Sequence, residues 1–239
     1  MKTKRTHDDL YLAEDRKHKP KEYFKFIREE TDNFLKQFKT PRILDIGCAT
    51  GEFLYYLHDC YPHANLTGID ILPTLLSKAK ENLPTVKFLC ADIYEGDELS
   101  SEFNRYDAVF MNGVHSIFDN NKQCIDRVLK LVNFENNGRA FIFGLFNPEN
   151  IDVLVKVKRI EESSSWEPGW NCFSKQGILN YLHSKNLKGS FNDFHINIDI
   201  EKKPEDPLRS WTIKLDEGQR MIVHGSQIIH HLSLLTVQK

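Results

Sequence analysis

The segment Ile43-Leu44-Asp45-Ile46-Gly47-Cys48-Ala49-Thr50-Gly51 constrains the fold more than any other part of the chain. An apolar run that ends in small residues and opens an amphipathic stretch predicts a strand, a tight turn and a helix. Gly47 lets the chain turn sharply and lets a ligand approach the backbone, and Gly51 permits close packing at the start of the helix. In an open α/β sheet, ligands bind at the carboxyl ends of the strands, where this loop would lie.

Apolar runs alternate with amphipathic stretches over the following hundred residues. We predict strands at 42–46, 65–69, 86–89, 106–111 and 139–143, and helices at 52–60, 74–82 and 121–132. Strands that alternate with helices predict a doubly wound, mainly parallel sheet with helices on both faces.

The pattern differs before and after this region. A helical apolar pattern runs from Tyr23 to Phe38. After Phe146 we predict helices at 151–160 and 175–184, strands at 191–200 and 228–237, and a hairpin that turns at 216–218. Residues 1–239 are therefore predicted to form a single domain. In it, residues 40–145 are the core, residues 1–39 an N-terminal helical lid, and residues 146–239 an insertion and the C-terminal strands.

Two acidic residues follow the next predicted strands. Asp70 lies about twenty residues beyond the glycines, where a carboxylate can accept hydrogen bonds from both hydroxyls of a ribose. Asp92 follows the third strand and can accept from an adenine amino group, while Ile93 can cover the ring. Each feature alone is also explained as an ordinary turn residue. A dinucleotide site is a further alternative, but its fingerprint G-x-G-x-x-G needs a middle glycine that the loop lacks.

Taken in order, these three features resemble the class I S-adenosylmethionine-dependent methyltransferases over residues 40–145. The resemblance implies a seven-stranded sheet whose last strand is antiparallel to the rest, with S-adenosylmethionine as cofactor and S-adenosylhomocysteine as product. It places the loop under the methionine part, Asp70 at the ribose, Asp92 and Ile93 at the adenine, and residues 111–115 near the sulfonium. The residues expected to bind the cofactor are Asp45, Gly47, Cys48, Ala49, Gly51, Asp70, Ile71, Asp92, Ile93, Asn112 and Gly113.

The methyl acceptor is expected to lie beside the end of the fourth strand. His115 is the candidate base there, with a loop histidine bonded to the backbone as an equal alternative, and Asn112 can instead orient an acceptor. Trp166, Trp170 and Asn171 are candidate acceptor residues in the insertion, although the tryptophans can equally pin a loop to the core. Tyr11 is a candidate contact from the N-terminal lid.

Composition limits the partners. With 32 basic and 34 acidic residues the net charge is -2, so a nucleic-acid partner is not favoured. The five cysteines form no CxxC pair, and His230 and His231 are adjacent in a predicted strand and face opposite sides, so no metal site is expected. No apolar leader or bilayer-length apolar run is present, which predicts a cytoplasmic protein without a membrane partner. The oligomeric state stays open.

The leading functional hypothesis is O-methylation of a small molecule, either a sugar or glycan precursor or a small carboxylic acid. Methylation of RNA or protein is a second hypothesis. It is disfavoured by the absence of the [Asn/Asp]-Pro-Pro-[Tyr/Phe] signature at residues 112–115. A third is a protein that binds the cofactor without catalysis, since the loop, Asp70 and Asp92 explain binding only.

Overall fold

The computed structural model describes residues 11–12, 19–94, 99–158, 160, 165–204, 208–226 and 229–239. The α-helices are α1 (Glu22–Leu35), α2 (Glu52–Cys60), α3 (Pro73–Asn82), α4 (Asn121–Leu131) and α5 (Lys175–Ser184). The longer strands are β1 (Arg42–Ile46), β2 (Asn65–Asp70), β3 (Lys87–Cys90), β4 (Ala108–Asn112), β5 (Arg139–Asn147), β9 (Lys188–Asp193), β10 (Trp211–Lys214), β11 (Arg220–Val223) and β12 (Leu232–Gln238). The two-residue strands are β6 (Lys156–Val157), β7 (Glu167–Pro168) and β8 (Phe173–Ser174).

The main sheet has the strand order β3-β2-β1-β4-β5-β12-β9. Strands β1 to β5 pair in parallel, whereas β12 runs antiparallel to both β5 and β9. This confirms the doubly wound, mainly parallel sheet with an antiparallel last strand. The short strand β8 pairs with the end of β5 and adds an eighth strand to the seven that were expected.

Helices cover both faces of the sheet because each carries an apolar face. On one face, α1 and α2 bury Phe24, Ile27 and Leu54 in a single cluster. On the other face, α4 and α5 bury residues such as Ile125 and Leu182. Each such side chain contributes about 1.5–3 kcal/mol on full burial. With β1 and β4 central and buried, the carboxyl ends of these strands are held in fixed positions at one edge of the sheet.

The segment after β5 differs from the prediction. The helix expected at 151–160 is wrong, because Val153 bridges to Cys172 and β6 pairs with β7. Val153, Val155 and Val157 alternate with other residues, and this period of two favours extended chain over helix.

The predictions for the C-terminal strands hold in part. The hairpin of β10 and β11 is confirmed, with its turn at residues 216–218. The strand expected at 191–200 ends early, because β9 stops at Asp193. The predicted start of the last strand at residue 228 lies outside the described residues, and β12 begins at Leu232. Among the helices of the described ranges, none combines the length and apolar character needed to cross a bilayer.

Candidate active site

The carboxyl ends of the first four strands open onto a cavity of about 330 Å³. This volume is within the range of small-ligand sites. Its walls include residues 45–49, 70–72, 91–94 and 112–114, together with residues from the N-terminal side of α1. The turns that follow four neighbouring parallel strands thus meet in one concave site.

The loop between β1 and α2 is fixed to the neighbouring strand. The backbone N–H groups of Gly47 and Cys48 both donate to the carbonyl oxygen of Ile69, at 2.8 and 3.0 Å. Gly47 has a φ of +73°, and a Cβ there would lie 2.3 Å from Cγ2 of Val114. Ala49 also has a positive φ, of 47°. Only glycine fits at position 47, because any side chain would be strained and would clash with the β4 loop.

Asp70 holds the loop as well as facing the cavity. Its Oδ2 accepts from the backbone N–H of Ala49 and its Oδ1 from that of Leu72, both at 2.9 Å. A carboxylate has about four lone-pair sites, so these bonds are compatible with hydrogen bonds from a ribose. Asp70 therefore stabilises the loop conformation on which the rest of the site depends.

Asp45 lies beside Asp70 at the end of β1. Burial, and then the negative charge of Asp70, raise the pKa of Asp45 well above its usual value. Nδ2 of Asn112 donates to Oδ1 of Asp45 at 3.3 Å, so Oδ1 of Asn112 points away from Asp45. That Oδ1 is buried without a hydrogen-bond partner. A positively charged ligand would stabilise this group of acceptors.

The turn after β3 and Phe118 contribute another part of the cavity wall. Oδ1 of Asp92 accepts from the backbone N–H of Tyr94 at 2.8 Å, which fixes the turn after β3. The ring of Tyr94 stacks on Phe118, with centroids 4.8 Å apart and planes 5° apart. Ile93 lines the same region. Two stacked rings beside an aliphatic side chain and a carboxylate suit a planar heterocycle with an amino group.

Most of the predicted cofactor residues line this cavity, and so does Tyr11. Gly51 is the exception, because it is not among the described residues that line the cavity. It forms the N-cap of α2 with a φ of 79° and packs against Ala79 and Phe88, so it serves the turn and the helix packing.

The geometry contradicts the prediction that His115 is a base facing the acceptor. His115 is fully buried, and its ring stacks on Phe146 with centroids 4.5 Å apart. Nε2 lies 3.1 Å from the carbonyl oxygen of Leu145. Burial lowers the pKa of His115 to about 4. His115 is not among the described residues that line the cavity, and its ring packs against β5.

The three acceptor residues predicted in the insertion are also not among the described residues that line the cavity. Trp166 is 68% exposed, and the ring of Trp170 packs near His224. Asn171 is fully buried: its Oδ1 accepts from the backbone N–H of Val155 at 2.7 Å, and its Nδ2 donates to the carbonyl oxygen of Phe118 at 3.0 Å. Asn171 therefore anchors the insertion to the core. The alternative interpretation of this loop had given that role to the two tryptophans.

The insertion still contributes to the cavity wall through Pro168, which the sequence did not single out. Pro168 is in β7 and pairs with Lys156 of β6. This pairing holds Pro168 at the cavity, while the two tryptophans lie outside it.

Sequence reasoning also missed the residues that α1 and the start of α2 contribute. Lys21, Tyr23 and Glu52 line the cavity. Tyr23 stacks on Phe143, with centroids 4.9 Å apart, and burial raises its pKa to about 12. Glu52 could have been found, because it directly follows the loop. The positions of Lys21 and Tyr23 depend on how α1 packs, which no local motif shows.

Comparison with known proteins agrees with this site. Residues 43–133 match the family model described as a methyltransferase domain. The chain is 32% identical over 142 residues to malonyl-[acyl-carrier protein] O-methyltransferase of Anoxybacillus flavithermus, covering 56% of this chain and 52% of that protein. It is 34% identical over 141 residues to the protein of that name from Acetivibrio thermocellus, covering 57% and 48%. The chain thus spans about half the length of these curated relatives.

The fold is also found in solved structures. Burkholderia thailandensis 1,6-didemethyltoxoflavin-N1-methyltransferase, solved with its acceptor and S-adenosylhomocysteine, superposes with a TM-score of 0.57. The identity is 14%, and the match covers 98% of this chain and 83% of that one. This likeness shows a shared fold.

The strand order and the cavity at the ends of β1 to β4 define an α/β protein that binds a nucleoside cofactor. With the methyltransferase-domain match over residues 43–133, the chain is similar to the class I S-adenosylmethionine-dependent methyltransferases. The residues present fit that cofactor. Asp70 and the stacked pair of Tyr94 and Phe118 suit its nucleoside, and the unpartnered buried oxygens of Asn112 and Glu52 suit its positive charges. Within the described residues, no cluster of three or more histidine, cysteine or acidic side chains could hold a metal ion.

Proposed function

We propose that this protein transfers the methyl group of S-adenosylmethionine to a carboxylate oxygen of a small acid or acyl group. The observation that carries this proposal is the lack of a suitable base in the cavity. No histidine is among the described residues that line it, and burial raises the pKa of both Tyr23 and Cys48. Hydroxyl acceptors need a base, whereas a carboxylate is already ionised near neutral pH.

The acidic side chains of the cavity already make other contacts. Asp70 holds two backbone N–H groups, Asp45 is bonded to Asn112, and Asp92 fixes the turn after β3. The fourth, Glu52, is paired with Lys21 at 3.5 Å. None of the four is therefore assigned to deprotonating an acceptor.

The remaining contribution of the protein is alignment in a dry site. When bound, the cofactor supplies a methyl group on a positively charged sulfur, and its transfer to a carboxylate gives a methyl ester and S-adenosylhomocysteine without releasing a proton. Val114, Ile117, Phe118 and Pro168 form apolar walls that exclude water. Holding the acceptor oxygen close to the methyl carbon in such a site lowers the barrier by fixing position and orientation.

The relatives support an acid over a sugar. Those from Anoxybacillus flavithermus and Acetivibrio thermocellus are named as O-methyltransferases of malonyl-[acyl-carrier protein], and a malonyl thioester has one free carboxylate. The stacking wall that would have suited a sugar is not formed, since Trp166 and Trp170 lie outside the cavity. Lys21 is the one basic side chain among the described lining residues, against four acidic ones. The excess of acidic side chains disfavours a polycarboxylate acceptor.

We also propose where the reaction takes place and which segments surround the cavity. All five cysteines are free, which supports a reducing compartment and hence a cytoplasmic location. Tyr11 and α1 border the cavity, which supports a covering role for residues 1–39, and Pro168 supports an acceptor role for the insertion. The first ten residues and residues 13–18 of the predicted lid lie outside the described ranges.

The proposal is tested with S-adenosylmethionine labelled in its methyl group. The protein is incubated with malonyl thioesters, simple monocarboxylic acids, a tricarboxylic acid and sugars, and the products are treated with alkali. Methyl esters release volatile labelled methanol, whereas methyl ethers and methylamines do not. We expect alkali-labile product with a monoanionic acid. Alkali-stable product with a sugar, or transfer to no acid, would refute the proposed acceptor.

A further inference from the structure

An ion pair faces the cavity at the junction of α1 and α2. Nζ of Lys21 lies 3.5 Å from Oε2 of Glu52, and the two side chains are only 18% and 9% exposed. Lys21 is the N-cap of α1, and Glu52 is the first residue of α2, directly after the β1–α2 loop. The rings of Tyr11 and Phe24 lie 5.5 and 5.8 Å from Nζ and hold the ammonium in place.

The ion pair provides a partner for only one of the two carboxylate oxygens of Glu52. Its second oxygen, Oε1, is buried and has no hydrogen-bond partner. A buried acceptor without a donor is unfavourable, more so on a charged group. Because Glu52 lines the cavity, a ligand can supply the missing donor. Oδ1 of Asn112, also buried, unpartnered and on a cavity-lining residue, is a second acceptor of the same kind.

The loop itself offers few donors to an anionic group. The backbone N–H groups of Gly47 and Cys48 are bonded to Ile69, and that of Ala49 to Asp70. A ligand carboxylate near this loop therefore needs another cation or donor, and among the described lining residues Lys21 is the basic one.

We propose that Lys21 and Glu52 together form a two-charge site for the amino-acid end of S-adenosylmethionine. Oε1 of Glu52 accepts from the α-ammonium group, and Nζ of Lys21 donates to the α-carboxylate. A ligand with adjacent positive and negative groups complements an adjacent negative and positive pair. A lone carboxylate bound at Lys21 would leave Oε1 of Glu52 without a donor. This inference rests on the cofactor of the proposed function, and it links binding of that cofactor to the start of α1.

The test compares ligands that have and lack the amino-acid end. Calorimetry measures binding of S-adenosylhomocysteine and of 5′-methylthioadenosine, which has the nucleoside and sulfur only. We expect Glu52→Gln and Lys21→Met each to weaken S-adenosylhomocysteine about 10- to 100-fold, the range for a lost charge-assisted hydrogen bond. Binding of 5′-methylthioadenosine should change by less than about threefold, because it makes neither contact.

A decarboxylated S-adenosylhomocysteine separates the two contacts. Its affinity should be insensitive to Lys21→Met and still sensitive to Glu52→Gln, because it keeps only the ammonium. The matched controls are Glu22→Gln and Lys25→Met, an ion pair of 2.6 Å on α1 that does not line the cavity, and neither should alter binding. Thermal unfolding of each variant confirms that it folds. If Glu52→Gln does not fold, the Lys21→Met comparison with the two truncated ligands decides.

The outcomes separate this inference from the proposed function. If the native protein binds neither S-adenosylhomocysteine nor 5′-methylthioadenosine, the cofactor assignment fails. If the native protein binds both ligands but each variant lowers the affinity for both equally, the ion pair only maintains the fold. This inference alone is then wrong. Unchanged S-adenosylhomocysteine affinity in both variants would also overturn it.

Discussion

Replacing His115 with glutamine distinguishes a packing role from a catalytic one. The unfolded chain has a histidine pKa near the usual 6.5, whereas burial lowers the pKa of His115 in the folded protein to about 4. Between these values the unfolded state takes up a proton that the folded state does not. Stability from this residue is therefore fully present above pH 6.5 and is lost as the pH falls toward 4. With these two pKa values, acidification from about pH 7 to pH 5 lowers the free energy of unfolding by about 2 kcal/mol through His115.

Glutamine keeps a donor in reach of the carbonyl oxygen of Leu145 but does not titrate in this range. His115→Gln should lower stability by about 1–3 kcal/mol near pH 7, since the stack on Phe146 is lost. The drop in the free energy of unfolding between pH 7 and pH 5 should also be about 2 kcal/mol smaller in this variant. Urea unfolding followed by circular dichroism at the two pH values measures both effects. An unchanged acid sensitivity would refute the buried, neutral histidine. A kcat reduced by more than about 100-fold with normal substrate binding would restore its role as a base.

Three further predictions follow from the cavity and its supports. Asp70→Ala should weaken S-adenosylhomocysteine by about 2–4 kcal/mol in calorimetry, because a charge-assisted pair of hydrogen bonds and the bond that fixes the loop are both lost. Gly47→Val should abolish that binding and lower the free energy of unfolding by at least about 2 kcal/mol, since its Cβ clashes with Val114. Asn171→Ala should lower that free energy by about 2–4 kcal/mol, whereas Trp166→Ala, at an exposed site, should change it by less than about 0.5 kcal/mol. Neither of these last two should alter cofactor affinity.

The sequence predicted the cofactor half of the site because its signals are local. The loop, Asp70 and Asp92 each follow a strand at a position that the alternation of strands and helices already places at one edge of a parallel sheet. Such residues converge whatever the detailed packing, so position along the chain was sufficient.

The acceptor half could not be predicted in the same way. His115 follows β4 closely enough to reach the cavity or to fold back under β5, and only the packing against Phe146 decides between these positions. Trp166 and Pro168 are two residues apart, yet only Pro168 lines the cavity, because of how β7 pairs with β6. Lys21 meets Glu52 through the packing of α1 on α2, a contact between segments that are distant in sequence.

The dependence of kcat on pH, measured with a carboxylate acceptor, tests the central claim most directly. If the acceptor is already ionised and no side chain of the protein removes a proton, kcat should be constant from about pH 6 to about pH 9. A kcat that rises about tenfold per pH unit over part of this range would show that a group must lose a proton before transfer. That result would contradict base-free transfer to a carboxylate.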